Sequence, residues 1–281
     1  MNKKLIAFLL AAVMVVACFA LAACGNKTDA PAATDAASTS EAPAADSDLA
    51  YIQNKGKLVV GITNFAPMDF QEEGSKEWVG FDADLARAFA KTLGVDVEFS
   101  EIEWDNKILE LDGKTIDCVW NGMTITDEVK SAMTVSDAYC KNAQVIVVPA
   151  DKAADYQTAE ACKDLQFAVE AGSAGQKVAE ENGFSITEVK DQATALQEVA
   201  AGTSDAAIID LLMAGAMIGE GTGFSNLTYT VSLNSEEYGV GFRKGSDLVT
   251  YFNTFFASEA ALGNVDKIAE QYGISTDTII K

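Results

Sequence analysis

The sequence predicts an α/β fold, and three observations predict it. Short apolar runs of strand length alternate with runs whose apolar residues recur every three or four positions, strand–helix–strand, through residues 57–148. A similar alternation runs again through residues 165–217. The chain has 281 residues, 49% hydrophobic and 22% charged, enough for one large or two modest domains around a buried core. In such folds helices cover the faces of a sheet, and strands joined through helices run parallel.

Residues 1–48 stand outside this pattern. Lys3 and Lys4 precede an almost purely apolar run over 5–23, the n-region and h-region of a secretory signal. By length alone the run could pass for a membrane span. It ends in Leu21-Ala-Ala-Cys24-Gly25, which resembles the bacterial lipobox. That resemblance implies cleavage before Cys24, lipidation of its sulfur and amine, and a membrane anchor. Residues 26–48 are rich in Ala, Thr, Ser, Asp and Pro and hold no large apolar residue, so they cannot bury a core and are expected to form a disordered tether.

The fold is expected to start near Leu49. Residues 57–62 (Lys-Leu-Val-Val-Gly-Ile) read as a buried strand, and the 64–70 loop follows at its carboxyl end, the edge where ligands sit in α/β sheets. A Gly-containing, acidic hairpin region leads into a helix with Asp82 as its expected N-cap. Leu85, Phe89 and Leu93 fall four apart on its inner face, and Gly94 ends it. Residues 95–102 read as a strand. Trp104 and Asp105 form a loop, with Asp105 capping a short helix that stops at Gly113.

Residues 116–120 form a short strand that turns through Asn121 and Gly122 into a helix capped by Thr126, with Asp127 and Glu128 in its first turn. This corner is the centre of the chain. Glycine lets a ligand approach bare backbone, and the first N–H groups of a helix have no partner inside it, so the corner suits a carboxylate or other anion. An ordinary strand-to-helix turn has the same letters. Residues 143–148 read as a strong strand that completes a β-α-β-α-β-α-β order and argues for parallel pairing.

The second set follows a polar connection over 152–163. Residues 165–170 read as a strand, and Ala171-Gly-Ser-Ala-Gly175 opens a helix that Gly183 stops. Residues 186–189 are a strand, and 193–201 a helix capped by Asp191 and stopped by Gly202. Residues 205–209 deliver Asp210 at a strand's carboxyl end, and a helix runs on through Met217. Strands are expected over 228–233 and 238–242. Gly245-Ser246 cap a long helix facing Leu248, Phe252, Phe255 and Phe256 inward, and a last helix over 265–272 packs onto the first half.

Composition excludes several functions. Asp and Glu number 42 against 20 Lys and Arg, a net charge of −22, which disfavours a nucleic-acid partner. Histidine is absent, which removes His-based acid–base catalysis, Ser-His-Asp and Cys-His nucleophiles, and imidazole metal sites. Cysteines stand at 18, 24, 118, 140 and 162 with no C-x-x-C pair, so no zinc ribbon or redox motif is present, and no metal or cofactor is expected. The last three fit either one bridge plus a free thiol or three reduced thiols.

Val79-Gly-Phe-Asp-Ala-Asp-Leu85, Ala88–Gly94, Ile116-Asp through Thr126, Ser136-Asp-Ala-Tyr139 and Tyr238-Gly-Val-Gly-Phe242 together resemble the polar amino-acid-binding branch of the bacterial extracellular solute-binding proteins. The likeness covers about residues 50–281 in order. It implies a two-lobed periplasmic-binding-protein fold of type II, with two hinge crossings and the ligand in the cleft. Lobe one would be 49–140 plus 238–281 and lobe two 141–237, with a signal peptide over 1–23 and a lipidated tether over 24–48. It further implies an ABC permease as partner, a lipid-held place on the extracellular face of the membrane (facing the periplasm in a Gram-negative cell), and no enzymatic activity.

Site residues carry over from the resemblance one at a time. Phe65 matches the aromatic that packs on the ligand side chain, and Trp104 a second pocket wall; lobe-one core is the rival role for both. Gly122 and Thr124 match the backbone and hydroxyl that hold the ligand's amine and carboxylate. Ser173 and Ala174 match the second lobe's helix N-terminus. Asp210 matches the carboxylate that pairs with the α-ammonium, with a plain N-cap as the rival role.

Two positions depart from the family. Val129 stands where an arginine would fork onto the α-carboxylate, and an isopropyl group cannot replace a guanidinium. Loss of one partner of a buried charge pair costs about 2–5 kcal/mol. The only arginines are Arg87 and Arg243, and neither is expected to reach the site. Either N–H groups at the helix head carry the carboxylate, or the ligand lacks one there. Glu170 stands where some relatives place a lysine; in the pocket it would favour a cationic group, and on the surface nothing. Two alternatives remain on the same fold: a dehydratase-like enzyme using Glu170 as a lone pocket acid, or a sensory ligand-binding module.

Overall fold

Five strands make the first sheet of the computed structural model, which describes residues 47–281. Their spatial order is Asp96–Glu101, Lys57–Ile62, Cys118–Val119, Gly241–Phe242, Thr134–Val135. The first three run parallel, and Gly241–Phe242 is antiparallel to both its neighbours. The second sheet has the order Ser185–Val189, Gln166–Glu170, Ala206–Asp210, Gln144–Pro149, Leu227–Ser232. Here the first three strands run parallel, and Gln144–Pro149 is antiparallel to both its neighbours, so that four strands point one way and one the other. The expected signal segment, Cys24 and nearly all of the tether lie outside the described residues.

One expectation is corrected here. The 143–148 run does not extend the first parallel series. Gln144–Pro149 leaves the first sheet and pairs antiparallel with Ala206–Asp210 in the second. It enters from a crossing rather than from a helix on the sheet face, so no right-handed βαβ unit constrains its direction. The crossings are Cys140–Asn142 and Glu236–Tyr238, hydrogen-bonded to each other as an antiparallel ribbon between the two sheets.

Helices follow the apolar periodicity closely. Phe81–Thr92 buries Leu85 and Phe89, and Leu248–Ala261 buries Leu248, Phe252, Phe255 and Phe256. Both meet Trp120 in an aromatic cluster, with Trp120 and Phe252 edge to face at 4.9 Å between ring centres. The second sheet carries a separate core in which Phe167 and Phe184 stack at 4.6 Å. The last helix, Asn264–Gln271, packs on Phe81–Thr92 and Leu248–Ala261 as expected.

Three caps differ from expectation. Asp82 does not cap its helix: Gly80 holds that place, and Asp82 lies fully buried inside the first turn. Asp105 lies in a 3-10 turn, Trp104–Asn106, and the following helix, Lys107–Asp112, has no side-chain cap. Ser246 accepts from Leu248 N at 3.3 Å, while Asp247 occupies the N-cap position. Thr126 and Asp191 cap as expected, and Ser173 caps the helix that its loop opens, each accepting a backbone N–H three residues on. An unforeseen first helix, Asp48–Lys55, is capped by Ser47. Cys118, Cys140 and Cys162 are all free and buried, which is the reduced alternative. Among the described residues no helix is long and apolar enough to cross a membrane.

Candidate functional site

Carboxyl ends of strands from both sheets open onto one cleft of about 410 Å³, within the usual range for small-molecule sites. All seven residues singled out from the sequence line it: Phe65, Trp104, Gly122 and Thr124 on the first-sheet side, Ser173, Ala174 and Asp210 on the other. Val129 and Glu170, the two departures, line it as well. The first wall is apolar, with Phe65 and Trp104 joined by Ile108, Met123 and Val129.

A buried polar frame holds the central corner. Gly122 sits at φ 56°, and a Cβ there would come within 2.5 Å of Phe65 Cε1. Only glycine lets the turn lie under the Phe65 ring at this spacing. Its N–H donates to Asp82 Oδ2 at 2.7 Å, and Tyr139 OH donates to the same oxygen at 2.7 Å. Next to it Asn121 Nδ2 donates to Asp69 Oδ2 at 2.8 Å, and Asn121 Oδ1 accepts from Thr63. Burial pushes Asp82 up to about 7; burial and then the Asp82 charge push Asp69 well above its ordinary value.

The helix head beyond the corner is less open than the sequence implies. Thr126 Oγ1 accepts from Val129 N at 3.1 Å, and the helix Asp127–Ala132 has only six residues. Neither arginine reaches the cleft. Arg243 forks onto Asp48 and contacts Asp117, and Arg87 binds Asp84 and the Trp78 carbonyl. The buried cation in the lining is Lys107, which the sequence reading passed over. Its signal was present: Lys107 lies four residues before the core Leu111, on the inward stripe of its helix. Lys107 Nζ donates to Trp104 O at 3.2 Å and to Gly172 O at 2.9 Å, so it spans the two sides of the cleft. Burial lowers its pKa, against the opposing pull of Glu128, Glu170 and Asp105.

Asp210 is the hub of a second network. Its Oδ1 accepts from Tyr238 OH at 2.7 Å, from Gln144 Nε2 at 3.1 Å and from Asn142 Nδ2; its Oδ2 accepts from Gln192 Nε2. Three donors crowd Oδ1 and one reaches Oδ2. It caps nothing in its helix. Asn142 and Gln144 also donate to Glu236 Oε1, which in turn accepts from Thr124 Oγ1 at 2.9 Å. One chain of hydrogen bonds therefore runs from Thr124 through the crossings to Asp210. Asn142, Gln144, Gln192 and Glu236 were missed because single amides and acids in strands carry no motif. Burial, then the Glu236 charge, raises Asp210 to about 8.

Glu170 differs from Asp210. It ends the neighbouring parallel strand, is 3% exposed, and its Oε1 has no partner. Burial, then the charges of Asp210 and Asp191, raises it to about 8. The mouth closes where Gly172, at φ 70°, meets Asp105: a Cβ on Gly172 would lie 2.7 Å from Asp105 Cα. Among the described residues no group of His, Cys, Asp and Glu is arranged to hold a metal.

Comparison with known proteins agrees with this architecture. The profile of the bacterial extracellular solute-binding proteins, family 3, matches residues 58–275. The L-cystine-binding protein TcyJ of Escherichia coli (strain K12) is 28% identical over 231 residues, covering 80% of this chain and 85% of that one. Among solved structures, an ABC uptake transporter substrate-binding protein from Streptococcus pneumoniae with bound histidine superposes with a TM-score of 0.76 at 28% identity, over 85% of this chain and 100% of that one. The ancestral amino acid-binding protein AncCDT-1, described as a precursor of cyclohexadienyl dehydratase, superposes with a TM-score of 0.73 at 32% identity, over 80% of this chain and 99% of that one.

Proposed function

The chain belongs to the bacterial extracellular solute-binding proteins of family 3, and on that premise we propose that it captures an amino acid or close analogue in the cleft for delivery to an ABC permease. The observation that carries this reading is the cleft itself: one largely apolar wall, one acidic wall, and a two-strand ribbon between the two sheets. Such a ribbon lets the walls rotate apart and close on a guest. We assign residues 49–140 plus 238–281 to lobe one and 141–237 to lobe two.

Within that reading Phe65 and Trp104 pack on the guest's carbon skeleton. Gly122 offers its carbonyl rather than its N–H, which Asp82 holds. Thr124 reports to the hinge through Glu236. Ser173 and Ala174 bring the head of Ala174–Glu181 to the guest, and Asp210 contributes negative charge from behind its four donors. Lys107, with three N–H groups and two already donated, has one left for the carboxylate that Val129 cannot hold. In this reading the protein performs no chemistry on the guest, and the chain has no histidine to serve as general acid or base. A cleaved signal over 1–23, lipid on Cys24 and a tether over 24–48 would hold the protein on the outer face of the cell membrane.

A thermal-shift screen against amino acids tests the central claim. Ligand at 100 times Kd is expected to stabilise by about 2.7 kcal/mol. A flat response to every amino acid removes the receptor assignment. Turnover of any bound guest would move the protein to the enzyme reading. Mass spectrometry of the mature N-terminus checks Cys24: an unlipidated terminus, or one that does not begin at Cys24, removes the anchor.

A further inference from the structure

Building on the receptor reading, we propose that Glu170 is the acceptor for a cationic group in the cleft, so that the site selects an amino acid with a cationic side chain over its neutral counterpart. Two buried carboxylates face the guest from adjacent strand ends, but they are not equivalent. Asp210 has four donors from its own chain. Glu170 is buried and lines the cleft, its Oε1 has no hydrogen bond, and among the described residues it forms no ion pair within 4.0 Å. An unpaired acceptor at such depth is costly unless a guest completes it. An ammonium or guanidinium would do so.

Charge counting points the same way. The remaining charged lining residues, Asp105, Glu128, Lys177 and Glu180, are exposed, so water screens them. The buried ones are Lys107, Glu170 and Asp210, one cation against two acids. With both acids ionised a zwitterionic guest leaves one negative charge unmatched, and a guest with a second cationic group cancels it; near neutral pH the bound cation itself drives that ionisation.

The titration of Glu170 supplies an independent signature. The groups that face it are Asp210 on the next strand, Asp191 and Gln192 at the head of the 192–201 helix, and Lys107 across the cleft. Burial and the two acids outweigh the lowering by Gln192 and Lys107, leaving Glu170 near 8 in the empty cleft. A bound cation stabilises the carboxylate and drives a proton off. Binding of a cationic guest should therefore release protons near neutral pH and tighten as pH rises towards about 8.

Calorimetric titration of the full chain with L-arginine and L-citrulline, and with L-lysine and L-norleucine, in phosphate and in Tris, tests this. Each pair differs chiefly in side-chain charge. The expected result is a preference of about 30-fold or more for the cationic member, with proton release, and collapse of that preference in Glu170→Gln. Equal binding of both members, or a cationic preference that survives Glu170→Gln with proton release unchanged, overturns the proposal while leaving the amino-acid receptor intact. No binding of any amino acid overturns both. Should Glu170→Gln fail to fold, the wild-type preference and its proton release still decide.

Discussion

The two walls of the cleft are built by opposite means. Lobe one presents apolar side chains, Phe65, Trp104, Met123 and Val129, over a polar frame hidden beneath them. Lobe two presents its polar groups directly, with Glu170, Ser173, Gln192 and Asp210 at the surface of the cleft. The difference divides the labour. Lobe one sets the shape of the guest, because packing against rings and isopropyl groups reports volume. On the proposed reading lobe two would set its charge, because a buried carboxylate with an unpaired oxygen, Glu170, favours a complementary partner.

The sharpest way to break this comparison is to remove the frame under the apolar wall. Asp82→Ala leaves Gly122 N–H and Tyr139 OH buried without an acceptor and should destabilise the fold by about 3 kcal/mol. Chemical denaturation reads it; a loss below about 1 kcal/mol would mean the frame is dispensable. Gly172→Ala acts at the mouth. Its Cβ meets Asp105 only when the walls close, so affinity should fall about 10- to 100-fold for every guest. Small-angle scattering should show the liganded variant staying open, and a normal compaction would refute the clash.

Smaller effects sharpen the division. Phe65→Leu keeps an apolar wall and loses the ring, so it should weaken cationic and neutral amino acids alike, by about 2- to 10-fold. A charge-dependent loss would assign charge selection to lobe one as well. The gentlest probe is pH. Asp82, Glu170 and Asp210 are raised to about 7, 8 and 8, from ordinary values of 3.8 or 4.5. The folded chain then holds protons that the unfolded chain has released. Stability is fullest below the ordinary values and falls as pH rises through 7 to 8, so the melting temperature of the ligand-free chain should be higher at pH 5 than at pH 8. Glu170→Gln should flatten that slope and raise the melting temperature at pH 8, by removing a buried acid that lacks a partner. An unchanged slope would show that general repulsion among the chain's acids dominates.

Much of the site was legible because it rests on local chemistry. Gly122, Thr126 and Asp191 are read from turn and cap preferences, which need only a few neighbouring residues, whereas Ser173 came from the family resemblance. Asp82 misled for the same reason: an acid at a helix start looks like a cap, and only the fold reveals Gly122 and Tyr139 on its far side. Lys107 was overlooked because the partner that ties it across the cleft, the Gly172 carbonyl, lies 65 residues away.

The amino-acid order by itself determined the alternating elements, the Thr126 and Asp191 caps, the apolar stripes and the family pattern, since each depends on neighbours along the chain. Only the tertiary structure decided that Gln144–Pro149 turns antiparallel in a second sheet, and that Asp210 gathers four donors while Glu170 Oε1 has none. The reason is physical. A carboxylate's character is set by how many donors and how much water surround it, and here those donors come from Asn142, Gln144, Gln192 and Tyr238, residues remote from Asp210 in the chain that meet only once it is folded.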